Sequence, residues 1–172
     1  MPKRQRAKNP KPSRIATPGY GFPKGTKGLL PWSWAEQRLK KSHNYWITTV
    51  KPDGSPHTMV VWGLWQDGRL LFSTGSKSRK ARNLAQNPNC VVCTEQANEA
   101  VIVEGVPKEI KDRAVWKHFA TVYNEKYGGD VEPMLTASSG NVYRVEPETA
   151  FGQDEHAANF AESVTRWRFS KS

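Results

Sequence analysis

Hydrophobic and polar positions alternate in short runs along most of this chain, and helical spacing interrupts them three times. "NYWITTV", "HTMVVWGLWQ" and "RLLFSTG" carry β-branched and aromatic side chains between turn signals at Asp53-Gly54 and Asp67-Gly68. The second Asp-Gly predicts a tight hairpin, because both residues tolerate positive φ. "CVVCTE", "EAVIVEGVPKEI", "NVYRVEPETAFG" and "TRWRFS" predict four further strands. The first predicted helix spans about Trp34–Ser42, with Ser33 as its N-cap and Glu36 at capping-box distance. The second lies in "SKSRKARNLAQNP", capped near Ser76 or Ser78 and closed by Pro88. The third lies in "DRAVWKHFATVYNEKYGG", where Val115, Trp116, Phe119, Val122 and Tyr123 recur at helical spacing before Gly128-Gly129 stops it. Strands that outnumber crossover helices and are joined by hairpins predict a mainly β fold with α (α+β): an antiparallel sheet closed into a small barrel with peripheral helices.

Charge then divides the chain. A length of 172 residues supports one well-buried domain, and the net charge of +10 looks at first like a nucleic-acid signature. Residues 1–28 hold eight of the cations and no acid, whereas residues 29–172 hold 18 cations against 16 acids. Basicity therefore belongs to a Pro- and Gly-rich tail over 1–28, expected to be flexible, ahead of a nearly neutral folded domain over 29–172. That location disfavours nucleic acid as the partner of the body. No apolar run is long enough to span a bilayer, and the N-terminal region lacks the apolar segment of a secretory signal, so no membrane association and a cytoplasmic location are expected.

Cys90 and Cys93 form a C-x-x-C, but no second ligand pair accompanies them and the Val-rich context is a strand, which sends the two thiols to opposite faces. His43, His118 and His156 lack ligand spacing, so no metal is expected.

The chemistry-bearing stretch is "STGSKSRKARNLAQNP", where a strand passes through Gly75 and Ser76 into a helix. Backbone N–H groups, the Thr74 and Ser78 hydroxyls and a positive helix end converge there, a good setting for a phosphate. Arg79 and Lys80 occupy the first turn, the unfavourable end for cations unless an anion compensates. On residues alone, a solvated helix face and a nucleic-acid patch remain alternatives.

"DGSPHTMVVWGLWQDGRLLFSTGSKSRKARNLAQNP" resembles the cofactor-binding half of the pyridoxamine 5'-phosphate oxidase-like proteins, and "ESVTRWRFS" resembles their closing strand in the deazaflavin-dependent reductase branch. The resemblance covers about Trp34 to Phe169. It implies an antiparallel split β-barrel, a homodimer and FMN, or alternatively coenzyme F420, as cofactor. Residue by residue, it implies that Ser73, Thr74, Ser78, Arg79 and Lys80 hold the cofactor phosphate. His57, Thr58, Met59, Val60, Val61 and Trp62 form the strand beside the ring, and Trp167 and Arg168 reach the cofactor across the dimer. Where the oxidase has an Arg and a Lys at the ends of that strand, this chain has His57 and Trp62, and Ala100 replaces a Gln. The implied activity is therefore an oxidoreductase acting on another small molecule, with catalytic residues unassigned. A non-catalytic flavin, F420 or tetrapyrrole binder is the alternative, ahead of a nucleic-acid-binding barrel.

Overall fold

The computed structural model describes residues 9–15, 19, 21–135 and 140–170. In chain order the elements are β1 (Pro12–Arg14), α1 (Trp32–Lys41), β2 (Asn44–Val50), β3 (Pro56–Gln66), β4 (Arg69–Gly75), α2 (Arg79–Gln86), β5 (Cys90–Thr94) and β6 (Val101–Ile110). They continue with α3 (Arg113–Tyr127), a 3-10 turn (Glu132–Leu135), β7 (Gly140–Gly152), α4 (Phe160–Ser163) and β8 (Thr165–Arg168).

Six antiparallel strands in the order β7-β4-β3-β2-β5-β6 close on themselves through β6 and β7. The barrel is split because β7 changes partner along its length: residues near Val142 pair with β4, and Thr149–Gly152 pair with β8. A bulge between Glu104 and Gly105 lets β6 follow that bend. A Cβ on Gly105 would lie 2.5 Å from the Glu146 carbonyl oxygen, so the close approach requires glycine.

Strand alternation builds the core. Tyr45, Ile47 and Thr49 of β2 point inward while Asn44, Trp46 and Thr48 point outward. The barrel interior joins Tyr45, Ile47, Phe72, Val92, Val103 and Val145 to Trp32 and Leu39 of α1. A second apolar cluster forms under α3, where Trp116 and Phe119 cover Leu64, Leu71 and Val142. The β3–β4 hairpin turns on Asp67 and Gly68 at φ 51° and 75°, as the Asp-Gly signal predicts.

Three expectations change. Helix α1 starts at Trp32 with Pro31 as N-cap and no side-chain cap, so Ser33 and Glu36 sit inside the helix. Proline's restricted φ, here −70°, sets up the helix start without a hydroxyl. The described part of the tail is not loose: β1 pairs with β8 from Pro12 to Arg14, and the Arg14 guanidinium donates to the Glu162 carbonyl at 2.6 Å and the Lys27 carbonyl at 2.6 Å. Lys3, Arg4, Arg6 and Lys8, half of the tail's cations, lie outside the described residues. Trp167 is wholly buried, its ring centroid 5.5 Å from that of Trp32. The indole therefore fills the core and is closed off from any cofactor.

Cys90 is buried, Cys93 is partly exposed, and both are free. Among the described residues, no group of three or more His, Cys, Asp or Glu side chains comes together as a metal site, and no helix is long and apolar enough to cross a membrane.

Candidate functional site

The end of β4 and the start of α2 are held together by two hydroxyls. Ser78 is the N-cap of α2 and accepts from the Ala81 amide at 3.1 Å. Its Oγ also lies 3.0 Å from Thr74 Oγ1 at the end of β4. Ser78 is thus spent on capping and positioning, and its proton can go to Thr74, which leaves the Thr74 proton to point outward.

In front of this junction lies a cavity of about 600 Å³, the volume of a site for one organic ligand. Six residues expected from the sequence line it: Val60, Val61 and Trp62 from β3, Ser73 and Thr74 from β4, and Lys80 from the first turn of α2. Gly75, Tyr123, Pro133 and Gly140 complete the wall.

Lys80 is half-buried there, has no acid partner among the described residues, and burial pushes its pKa below the ordinary lysine value. An unpaired cation beside two hydroxyls and a helix N-terminus suits a phosphate group. The residues present therefore fit the phosphate of a flavin or deazaflavin, and the strand segment Val60–Trp62, with Val60 and Trp62 exposed and Val61 buried, suits a flat ring lying along it.

The other expected residues fall elsewhere. Arg79 is exposed and outside the cavity lining. His57, Thr58 and Met59 precede the lining segment on β3, with the Thr58 hydroxyl 2.8 Å from that of Thr48. The buried His57 Nδ1 finds no partner among the described residues. Arg168 is exposed on β8, and Trp167 belongs to the core.

Sequence reasoning named Trp62 but missed its aromatic neighbours Tyr123 and Tyr127. Trp62 stacks on Tyr127 with ring centroids 4.7 Å apart and planes 2° from parallel. Tyr123 lies 6.2 Å from Trp62, and the His43 ring meets both Trp62 and Tyr127 edge-on. Behind this wall the Lys126 ammonium donates to the Ser42 carbonyl at 2.7 Å and the Gly63 carbonyl at 2.9 Å. Burial lowers the Lys126 pKa to about 8 despite the opposing pull of Glu95, and raises that of Tyr127 to about 12. The spacing of Tyr123 and Tyr127, one turn apart on α3, was the available signal, but it reads equally as a core stripe.

Comparison with known proteins agrees with this fold. The family model described as pyridoxamine 5'-phosphate oxidase matches residues 34–154. A pyridoxine/pyridoxamine 5'-phosphate oxidase of Bacteroides thetaiotaomicron is 31% identical over 93 residues, which are 51% of this chain and 43% of that protein. The chain thus spans less than half the length of this curated relative. Among solved structures, the conserved hypothetical protein Rv2991 of Mycobacterium tuberculosis superposes with TM-score 0.68 at 21% identity, covering 78% of this chain and 91% of that one. An F420 reductase superposes with TM-score 0.57 at 23% identity, covering 67% and 94%. These two likenesses concern the fold.

Proposed function

The chain belongs to the pyridoxamine 5'-phosphate oxidase family, and from that premise we propose that it is a homodimeric oxidoreductase of a small molecule, holding FMN, or alternatively coenzyme F420, in the cavity between β3, β4 and α2. The observation that carries this reading is Lys80, a half-buried cation without an acid partner among the described residues, facing the same cavity as Ser73 and Thr74.

In this reading Lys80 neutralises the cofactor phosphate, the Thr74 hydroxyl donates to it, and Ser78 orients Thr74. Val60 and Val61 supply an apolar wall that keeps water from the ring. A bound flavin or deazaflavin supplies hydride transfer, which leaves the chain to orient, shield and donate a proton. Tyr123 is the phenol on the cavity wall placed for that last task.

The dimer rests on the outer face of the barrel. Trp46, Val60 and Trp62 are each between 42% and 47% exposed, and in the β2–β3 register Trp46 stands opposite Val60. An apolar patch of this kind is typical of a surface covered by a partner. Val60 and Trp62 belong to both patch and cavity, so a second copy seated there would border the cofactor.

Titration of the full-length protein with FMN and with F420, followed by cofactor fluorescence, tests the reading. Binding of either in the micromolar range, with reoxidation of the reduced cofactor by a small acceptor, is the expected result. No binding of either at tens of micromolar overturns it. Binding without any acceptor-dependent reoxidation favours a cofactor carrier instead.

A further inference from the structure

We propose that Lys126 is a positioning residue for the cavity: by bridging the Ser42 and Gly63 carbonyls, its ammonium fixes the place where β3 changes partner, and through it the Val60–Trp62 segment. The ligand that reads this placement rests on the cofactor reading above, whereas the order of Trp62 can be measured without any ligand.

The cavity opens where β3 passes from one neighbour to the next. Pro56–Trp62 pair with β2, and pairing with β4 begins only at Gly63. Before that boundary the edge of β3 toward β4 is open, and there Val60, Val61 and Trp62 line the cavity together with Ser73 and Thr74 of β4. How wide the opening stands therefore depends on how Gly63 is held. The last residue of β3 in register with β2 is Trp62, opposite Asn44, so the β2 ladder does not reach Gly63.

Lys126 spans this junction. Its ammonium donates to the Gly63 carbonyl at 2.9 Å and to the Ser42 carbonyl at 2.7 Å, which joins β3 to the segment entering β2. That segment is itself fixed: the buried Ser42 hydroxyl donates to the Asn44 carbonyl at 2.6 Å, and the His43 amide donates to the Glu95 carboxylate at 2.8 Å. Tyr123, one turn earlier on α3, lines the cavity. Two walls of the cavity, β3 and α3, are thus tied by one ammonium that lies outside the lining.

Fold stability alone does not call for a cation here. The ammonium lies 5.1 Å from the centre of the Tyr45 ring and 5.0 Å from that of Tyr127, and burial takes its pKa down to about 8. A neutral side chain of similar length would relieve a half-buried charge while losing two charge-assisted bonds, effects of opposite sign on stability. What a neutral chain cannot do is hold the two carbonyls at a fixed separation. A strand held in place before the ligand arrives lowers the entropic cost of binding along it.

Three measurements on the full-length protein test this. They are the urea midpoint at pH 7, acrylamide quenching of Trp62 taken as the difference from the matching Trp62→Phe protein, and fluorescence titration with FMN and F420. Lys126→Met is expected to keep the wild-type midpoint, to raise Trp62 quenching, and to weaken the bound cofactor at least about tenfold. Lys126→Arg, which keeps a cation and its donors, should recover part of both losses. Unchanged quenching in Lys126→Met overturns the proposal, even if affinity falls, because the ammonium then does not act through the strand. Raised quenching with unchanged affinity overturns the link to the cavity. A lowered midpoint in Lys126→Met, or failure to fold, with no recovery of quenching and affinity in Lys126→Arg also overturns it, since the lysine then serves the fold as a whole. If wild type binds neither cofactor, the cofactor reading falls, and raised Trp62 quenching in Lys126→Met with an unchanged midpoint still supports the positioning role.

Discussion

Tyr127 stands where a strand partner for Gly63 is missing: β2 ends opposite Trp62, and the Tyr127 hydroxyl lies 2.9 Å from the Gly63 nitrogen and 2.8 Å from its carbonyl oxygen. The end of α3 thus finishes a sheet edge, using one phenol and the Lys126 ammonium in place of backbone. Tyr127→Phe keeps the ring stacked on Trp62 and strips the amide of its acceptor. The expected cost is about 1–2 kcal/mol, that of an amide left unpaired, measured by urea denaturation. An unchanged midpoint would place the closure of this edge on Lys126 alone.

Lys126 makes the same junction sensitive to pH. Burial takes its pKa from the ordinary 10.5 to about 8 in the folded protein. Between those values the unfolded chain still holds a proton that the folded chain has released, so this group makes stability rise with pH across that window. Below about pH 8 both states are protonated and its contribution is flat and unfavourable. The stability of wild type minus that of Lys126→Met, read from denaturant midpoints at pH 7 and pH 10, is expected to increase toward pH 10. A difference that stays constant or falls would contradict the assignment.

Much of this was legible in the chain, and the failures have physical causes. The β3–β4 hairpin followed from Asp67-Gly68 and the cap of α2 from Ser78, because both depend on neighbouring residues only. Of the cavity lining, Lys80 and Thr74 were readable because a strand-to-helix junction has its own anion chemistry, and Ser73 only through the family resemblance. Tyr123 and Tyr127 were not, since a helical aromatic stripe does not say whether it faces a core or a cavity. Trp167, assigned to the cofactor by resemblance alone, is buried in the core. Its alternation with Arg166 and Arg168 gives the side of the strand but not what lies beneath, and what lies beneath is Trp32. The β1 strand escaped notice because three residues, Pro12 to Arg14, carry no periodicity of their own.

Arg14 shows that β1 is more than an edge. Its guanidinium reaches carbonyls on both sides of the C-terminal segment, at Ala161, Glu162 and Val164, and those of Gly25 and Lys27 in its own segment. Arg14→Ala should release β1 and expose the edge of β8, at a cost of about 1.5–3 kcal/mol, the scale of hydrogen bonds to a charged group. Hydrogen exchange checks this directly, since amides of 165–168 should exchange faster while those of β2 do not. Equal protection in both proteins would mean that the strand is held by its backbone ladder without the side chain.

Lys80 and Arg79 are adjacent cations with opposite expectations. Lys80 lines the cavity, and its pKa is lowered by burial alone, the mark of a charge kept out of water without a partner among the described residues. Arg79 is exposed one residue earlier and outside the lining. In fluorescence titrations Lys80→Met is expected to weaken a phosphate-bearing cofactor by about tenfold or more, the value of a charge-assisted bond. Arg79→Met is expected to change affinity by less than about fivefold, as for a surface charge. A larger loss at Arg79 with F420 than with FMN would place the longer anionic tail over the exposed start of α2. The same Lys80→Met change should raise the melting temperature of the cofactor-free protein, because it removes an uncompensated, half-buried charge. A residue whose removal stabilises the free protein and weakens binding is kept for the ligand rather than for the fold. If Lys80→Met instead lowers stability and leaves both cofactors bound as before, the lysine is structural and the phosphate must sit elsewhere.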